Sequence, residues 1–213
     1  MMAKQLEPVS FDLARFQQEL TALDNLLKRR ASLKEREVVL PFFRNRHHLA
    51  AALGSYSSHL TLATELAFEF PLFGDFTTDL ILGSRSKGAF CLVEFEEGSS
   101  DSIFKKQPKR GEPEWSARFE HGFSQLVDWF YRLADLKGTD SFCKAFGYGH
   151  VHFSALLVIG RDAGLNDAKR TRLRWRTEKV LIDSHAVNCV TFDELAATLR
   201  TRFAYYIDTA LSE

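Results

Sequence analysis

Residues Phe153 to Ile159 form a short, continuous apolar run. A strand of this kind is buried on both faces, so other structure must cover it from either side. That requirement points to a layered architecture, and the patterns around the run say which layers are available. Before residue 64 the pattern is helical. Phe16, Leu20, Leu23 and Leu27 recur at steps of four, three and four, which predicts an amphipathic helix within residues 11–30, with Ser10 as its N-cap. Ser32 and Glu35 form an S-x-x-E capping box that would open a second helix, and Pro41 should interrupt or restart it near Leu40.

From about Thr64 the period changes. Leu66 to Leu72 and Thr77 to Leu82 read as strands, Gly83 to Gly88 as a turn, and Ala89 to Glu96 as a third strand, together an antiparallel hairpin or meander. Residues 98–113 have little periodicity and read as a mobile loop. Pro113 is expected in the first turn of the next helix. Phe119, Phe123, Leu126, Val127 and Phe130 form that helix's apolar stripe, and Gly138 lies near its end. After the 153–159 strand come a basic helical stretch (166–179), a brief strand near Val187 to Thr191 and a closing helix from Asp193 to Leu211. No internal repeat is visible. Helices, then a meander, then alternating α and β elements predict an α/β fold: a mixed central sheet flanked by helices. A helical N-terminal segment, residues 1–63, precedes a domain over 64–213.

Composition narrows the class. With 213 residues, 45% hydrophobic and 26% charged, the chain suits one domain with a buried core, and its 19 Phe against five Tyr and three Trp predict a core packed with Phe. Cys91, Cys143 and Cys189 are odd in number and lie in no CxxC pair, so they read as buried thiols in a reducing cytosol and not as a zinc site. Met1 to Pro8 has no apolar h-region, and no stretch approaches the ~18 to 20 apolar residues of a membrane span. The expectation is a soluble cytoplasmic protein.

The informative chemistry is Asp79 followed by Glu94-Phe95-Glu96. Side chains alternate along a strand, so Glu94 and Glu96 share a face with Leu92. If Ser84 to Lys87 form the hairpin loop, Gly83 pairs with Gly88 and Asp79 falls opposite Leu92, one diagonal from Glu94. Buried carboxylates need neutralising, and a hard divalent cation such as Mg²⁺ does so with oxygen ligands. The alternative is a sheet face open to water, with acids that only solubilise it.

Asp79, about fifteen residues, then a Glu-x-Glu tripeptide on a hydrophobic strand resembles the PD-(D/E)xK nuclease pattern. Gln125 with Trp129 resembles the QxxxY helix element of such nucleases, with Trp in place of Tyr. More of the chain is similar to one branch, the Shedu-type anti-phage defence nuclease domain. The matching pieces are Glu69-Phe-Pro-Leu-Phe-Gly-Asp-Phe-Thr-Thr-Asp79, Leu92-Val-Glu94-Phe-Glu96, Phe123-Ser-Gln125, Leu157-Val-Ile-Gly-Arg161 and Val190-Thr-Phe-Asp-Glu-Leu195. The helical N-terminus also resembles the segment before that family's core, less specifically. The resemblance implies a restriction-endonuclease-like fold and cleavage of DNA phosphodiesters with Mg²⁺ or Mn²⁺. It makes Asp79 and Glu94 metal ligands, with the Phe95 carbonyl on the same ion, and Gln125 a holder of water or phosphate. Glu69 matches an acidic position just before the motif.

The family's lysine is replaced by Glu96, which cannot supply positive charge near a phosphate. Three repairs are open. Glu96 can act as an extra metal ligand beside a second ion; Lys105 or Lys106 can enter from the loop; or the site is inactive and kept for nucleic-acid or partner binding. His121, one turn before Gln125, is a candidate proton carrier or metal-site neighbour, or a plain surface histidine.

The 28 basic residues cancel the 28 acidic ones, which at first argues against nucleic acid, but the charges are segregated. Residues 28–48 hold seven Lys or Arg against two Glu, a net of +5, and 161–179 hold seven against three, a net of +4. Residues 69–101 hold seven acids against two bases, a net of −5. Arg170, Arg172, Arg174 and Arg176, with Trp175 among them, are the candidate DNA contacts; the alternative is a basic surface helix anchored by Leu173 and Trp175. A scaffold that acts through its N-terminal helices, and a homo-oligomer, also remain open.

Overall fold

A computed structural model describes residues 4–74, 76–105 and 112–210. Its centre is a sheet built from β1 (Glu7–Pro8), β2 (Glu65–Pro71), β3 (Thr77–Ser84), β4 (Ala89–Phe95), β5 (His152–Val158), β6 (Leu181–Ile182) and β7 (His185–Val190). The strand order is β1-β2-β3-β4-β5-β7-β6. Strands β2 to β4 are the expected antiparallel meander, while β4, β5 and β7 run parallel. The crossover from β4 to β5 carries α4 (Ala117–Leu136) and α5 (Asp140–Phe146), and that from β5 to β7 carries α6 (Asp167–Lys179). The apolar run at 153–159 is thus a central strand, with Ala155 to Val158 fully buried.

Its side chains alternate between two cores, one on each face. On one face Leu156 and Val158 join Leu80, Leu82, Val93 and Phe95 under α1 (Leu13–Arg29) and α7 (Phe192–Ala210). The predicted stripe of α1, from Phe16 to Leu27, is buried here, and Phe16 packs on Phe203 with ring centroids 4.8 Å apart. On the other face Ala155 and Leu157 join Ile81, Leu92 and the α4 side chains Phe119, Phe123, Leu126 and Trp129. The fold is the expected mixed sheet flanked by helices. The N-terminal helices, including α2 (Leu40–Arg44) and α3 (His47–Ala52), belong to the first core, and the 63/64 junction falls just before β2.

Several local expectations are corrected. Asp12, not Ser10, caps α1 by accepting from the Arg15 N–H at 2.9 Å. The Ser32–Glu35 capping box does not form, because the Ser32 hydroxyl donates to Glu97 Oε1 at 3.2 Å. Glu35 instead opens a π-turn, Glu35–Val39, in which the Val39 and Leu40 N–H groups reach back five residues. The backbone returns to α geometry at Leu40, where Pro41 fits because its missing N–H is not needed in a first turn. Pro113 lies outside α4, which Ser116 caps by accepting from the Phe119 N–H at 3.0 Å. Val127 is exposed, and Trp129 and Leu133 take its place in the stripe.

Within the 98–113 stretch, residues 106–111 lie outside the described residues. Its flanks are held, not loose: Phe104 stacks on Trp115 at 4.4 Å and the Lys105 N–H donates to the Glu114 carbonyl at 2.8 Å. The short elements β1, β6 and α5 had no readable signal. Asp183 and Ser184, both at positive φ, close the tight β6–β7 turn, the geometry that matches strand twist.

Candidate functional site

Strands β3 and β4 pair with Leu80 opposite Val93 and Ser84 opposite Ala89. The loop is Arg85 to Gly88, with Gly88 in the left-handed region at φ 57. The register therefore differs by two from the one expected. Extended by one step it sets Asp79 directly opposite Glu94, not Leu92. A shift of two leaves every side chain on its original face, so Asp79 and Glu94 still share the face of Ile81 and Leu92. The β2–β3 pairing skips Glu69, between the Phe68–Leu80 and Phe70–Thr78 pairs. There φ is 48, and the half-exposed Glu69 carboxylate meets Arg44 at 2.7 Å.

Asp79 Oδ2 accepts the Phe95 N–H at 2.8 Å, so the carboxylate stands where a ladder carbonyl would otherwise receive it. Residue exposures are 4% for Glu94 and 2% for Glu96. Water is the main stabiliser of a carboxylate, and its loss dominates here. Burial, and then repulsion from Asp79, Glu96 and Glu35, pushes Glu94 up to about 10. Burial likewise raises Asp79 to about 7, against the pull of the Phe95 N–H. Burial thus favours the protonated form at this pair, whose two side chains hydrogen-bond each other. Glu96 is also raised by burial, partly offset by its hydrogen bond from Arg118.

The α4 wall places a guanidinium beside the strand acids. Arg118, His121 and Gln125 recur at i, i+3 and i+7, which puts them on one helix face. Arg118 bonds Glu96 at 3.1 Å and Glu97 at 3.3 Å. Gly122 permits this approach: a Cβ there would stand 3.0 Å from Glu96 Cγ and from Leu157 Cδ1. Lys105 pairs with Glu114 at 2.7 Å and does not line the cleft, and Lys106 lies outside the described residues. Arg118 was findable from its helical spacing with Gln125. Glu35 was not, since its position after Ser32 suggested a cap and gave no hint of the sheet.

A cleft of about 620 Å³ opens at the carboxyl end of β4. Its floor is Asp79, Glu94 and Glu96. Glu35, Arg36 and Arg44 come from the N-terminal segment, and Arg118, His121 and Gln125 from α4. Among the described residues no three His, Cys, Asp or Glu form a preassembled metal array. The donors nevertheless fit a hard divalent cation, being all oxygen and including a buried Gln125 Oε1 that has no hydrogen-bond partner. A cation would offset the burial that raises both carboxyls.

The basic helix α6 is largely spent on packing. Arg176 grips Glu120 at 2.6 and 2.7 Å and lies over the Trp115, Phe119 and Phe123 rings. Arg172 donates to the Pro113 carbonyl, and Arg170 pairs with Asp162 at 3.3 Å. Arg174 is exposed, as is Trp175 at 61%, so Leu173 and the distant Trp115, not Trp175, anchor this helix. Among the described residues no helix is long and apolar enough to cross a membrane. Residues 32–196, more than three quarters of the chain, match the family model described as Shedu protein SduA, C-terminal. No curated protein matches the chain.

Proposed function

The chain belongs to the family of the Shedu protein SduA C-terminal region, and on that footing we propose that it is a metal-dependent DNA endonuclease acting in anti-phage defence. The observation that carries this reading is the pairing of half-buried Asp79 with buried Glu94 at the floor of an oxygen-lined cleft, where loss of water raises both carboxyls. Structural carboxylates seldom sit in so unfavourable a place, and strongly raised acids in clefts mark functional sites. Asp79 and Glu94 would hold Mg²⁺ or Mn²⁺, with Glu96 or Gln125 Oε1 completing the set. When bound, the cation supplies Lewis acidity at a phosphodiester and toward water. Phe95 fixes Asp79 through its N–H. Arg118, always charged, supplies the positive charge that a lysine gives in the resembling motif, but it cannot take up a proton. Gln125 would orient water or a phosphate oxygen.

The test is plasmid cleavage with Mg²⁺ or Mn²⁺, comparing wild type with Asp79→Ala and Glu94→Ala. Loss of cleavage in both variants is expected, and cleavage surviving both would remove the assigned site. A second reading, a catalytically degenerate module that binds nucleic acid, is favoured by one feature: Glu96 is already ion-paired with Arg118. Absence of cleavage with salt-dependent DNA binding intact would select it.

A further inference from the structure

We infer that duplex DNA is held at this cleft by the N-terminal segment, through Arg36 and Arg44 with Arg118 on the facing wall, and not by α6. The inference rests on the nuclease reading and assigns its substrate path. Three observations carry it. First, Arg36, Arg44 and Arg118 line the same cleft as Asp79, Glu94 and Glu96. Second, Arg36 is available: its side chain is 90% exposed and its contact with Glu35 is a loose 3.7 Å. Arg44 and Arg118 keep 40% and 42% of their side chains exposed at the cleft rim while paired with Glu69 at 2.7 Å and Glu96 at 3.1 Å. Third, none of the α6 arginines lines this cleft, and Arg172 and Arg176 are engaged with the Pro113 carbonyl and Glu120.

The π-turn makes this placement possible. Its wider coil sets Glu35 and the adjacent Arg36 at the cleft, in line with the frequent use of π-turns at functional sites. The two walls come from helices on opposite sheet faces, so the arginines straddle the carboxyl row. A phosphodiester backbone crossing the row would meet positive charge on both sides of the scissile position. The acidic floor repels DNA until a divalent cation neutralises it, so binding should depend on the cation as well as on these arginines.

The experiment is fluorescence anisotropy of a labelled DNA duplex with Ca²⁺, under conditions that leave the duplex intact, across a salt series. Each phosphate contact contributes about −0.9 to the slope of log K against log[salt]. Arg36→Ala and Arg44→Ala should each flatten the slope by about that amount, and Arg36→Glu by more. Arg172→Ala and Arg174→Ala should match wild type. Thermal melting monitors Arg44→Ala, whose contact with Glu69 is also structural, whereas Arg36 is too exposed for its loss to unfold the chain. Wild-type slopes in both Arg36 and Arg44 variants, a flattened slope in Arg174→Ala, or no salt-dependent binding by wild type would each overturn the inference. Arginine-dependent binding without cleavage in Mg²⁺ would refute only the nuclease reading.

Discussion

Replacing Glu94 with Gln separates the burial of this carboxyl from its use. Burial raises Glu94 from its ordinary 4.5 to about 10. A raised acid contributes stability that is fully present below its unfolded value and lost as pH climbs toward its folded value. Between pH 6 and 8 the folded protein keeps this proton and the unfolded chain has released it. Each pH unit therefore removes about 1.4 kcal/mol, or about 3 kcal/mol across the window. The glutamine of the variant cannot ionise, yet its amide can donate to Asp79 as the protonated acid does. Asp79 at about 7, the raised Glu96 and Glu194 and the lowered His152 are common to both proteins and cancel to first order. Urea unfolding in EDTA at pH 6, 7 and 8 should show Glu94→Gln gaining about 3 kcal/mol on wild type as pH rises. Mg²⁺ at pH 8 should return stability to wild type and much less to the variant. Parallel pH profiles in EDTA would refute the reasoning, since they would mean that Glu94 is ionised in the folded protein.

Arg161→Ala should destabilise the chain by about 2 to 3 kcal/mol in urea unfolding. Arg161 bonds both Asp193 oxygens, at 2.8 and 2.9 Å, and caps α1 through the Leu27 and Arg30 carbonyls. Lys in its place should recover less than half, having no planar fork. Gly122→Ala should cost about 1 to 2 kcal/mol in the same assay, because the new methyl pushes α4 off Glu96 and Leu157. Arg118→Ala should lower plasmid cleavage at least about tenfold, with Arg118→Lys restoring part of it, because one charged donor at a reacting phosphate is worth about that much or more. Full activity in Arg118→Ala would show that the cation is dispensable.

The elements with strong periodicity were legible. The Phe16 to Leu27 stripe, the 66–96 meander and the 153–159 run each reappear within a residue or two of their expected bounds. The carboxyl face was legible for a related reason. Strand side chains repeat with period two, so an error of two in register moved Asp79 from opposite Leu92 to opposite Glu94 without moving either off its face. Caps were less legible, since Ser10, Ser32 and Pro113 all carry the right chemistry and the decision falls to partners distant in sequence. Ser32 is claimed by Glu97, 65 residues away. The α6 arginines misled for the same reason. Their charge was plain in the sequence, but Glu120, Asp162 and the Trp115 ring that engage them were not.

By itself, then, the sequence determined the α/β layering, the meander and which acids share one strand face, because local periodicity fixes which way a side chain points. The tertiary structure alone decided that Glu35 and Arg36 reach those acids from the far face of the sheet. It also decided that Arg118 stands beside Glu96, and that Asp79 and Glu94 meet where burial raises both carboxyls. Each of these depends on distances between segments and on how much water the packing removes, and neither is encoded in local spacing.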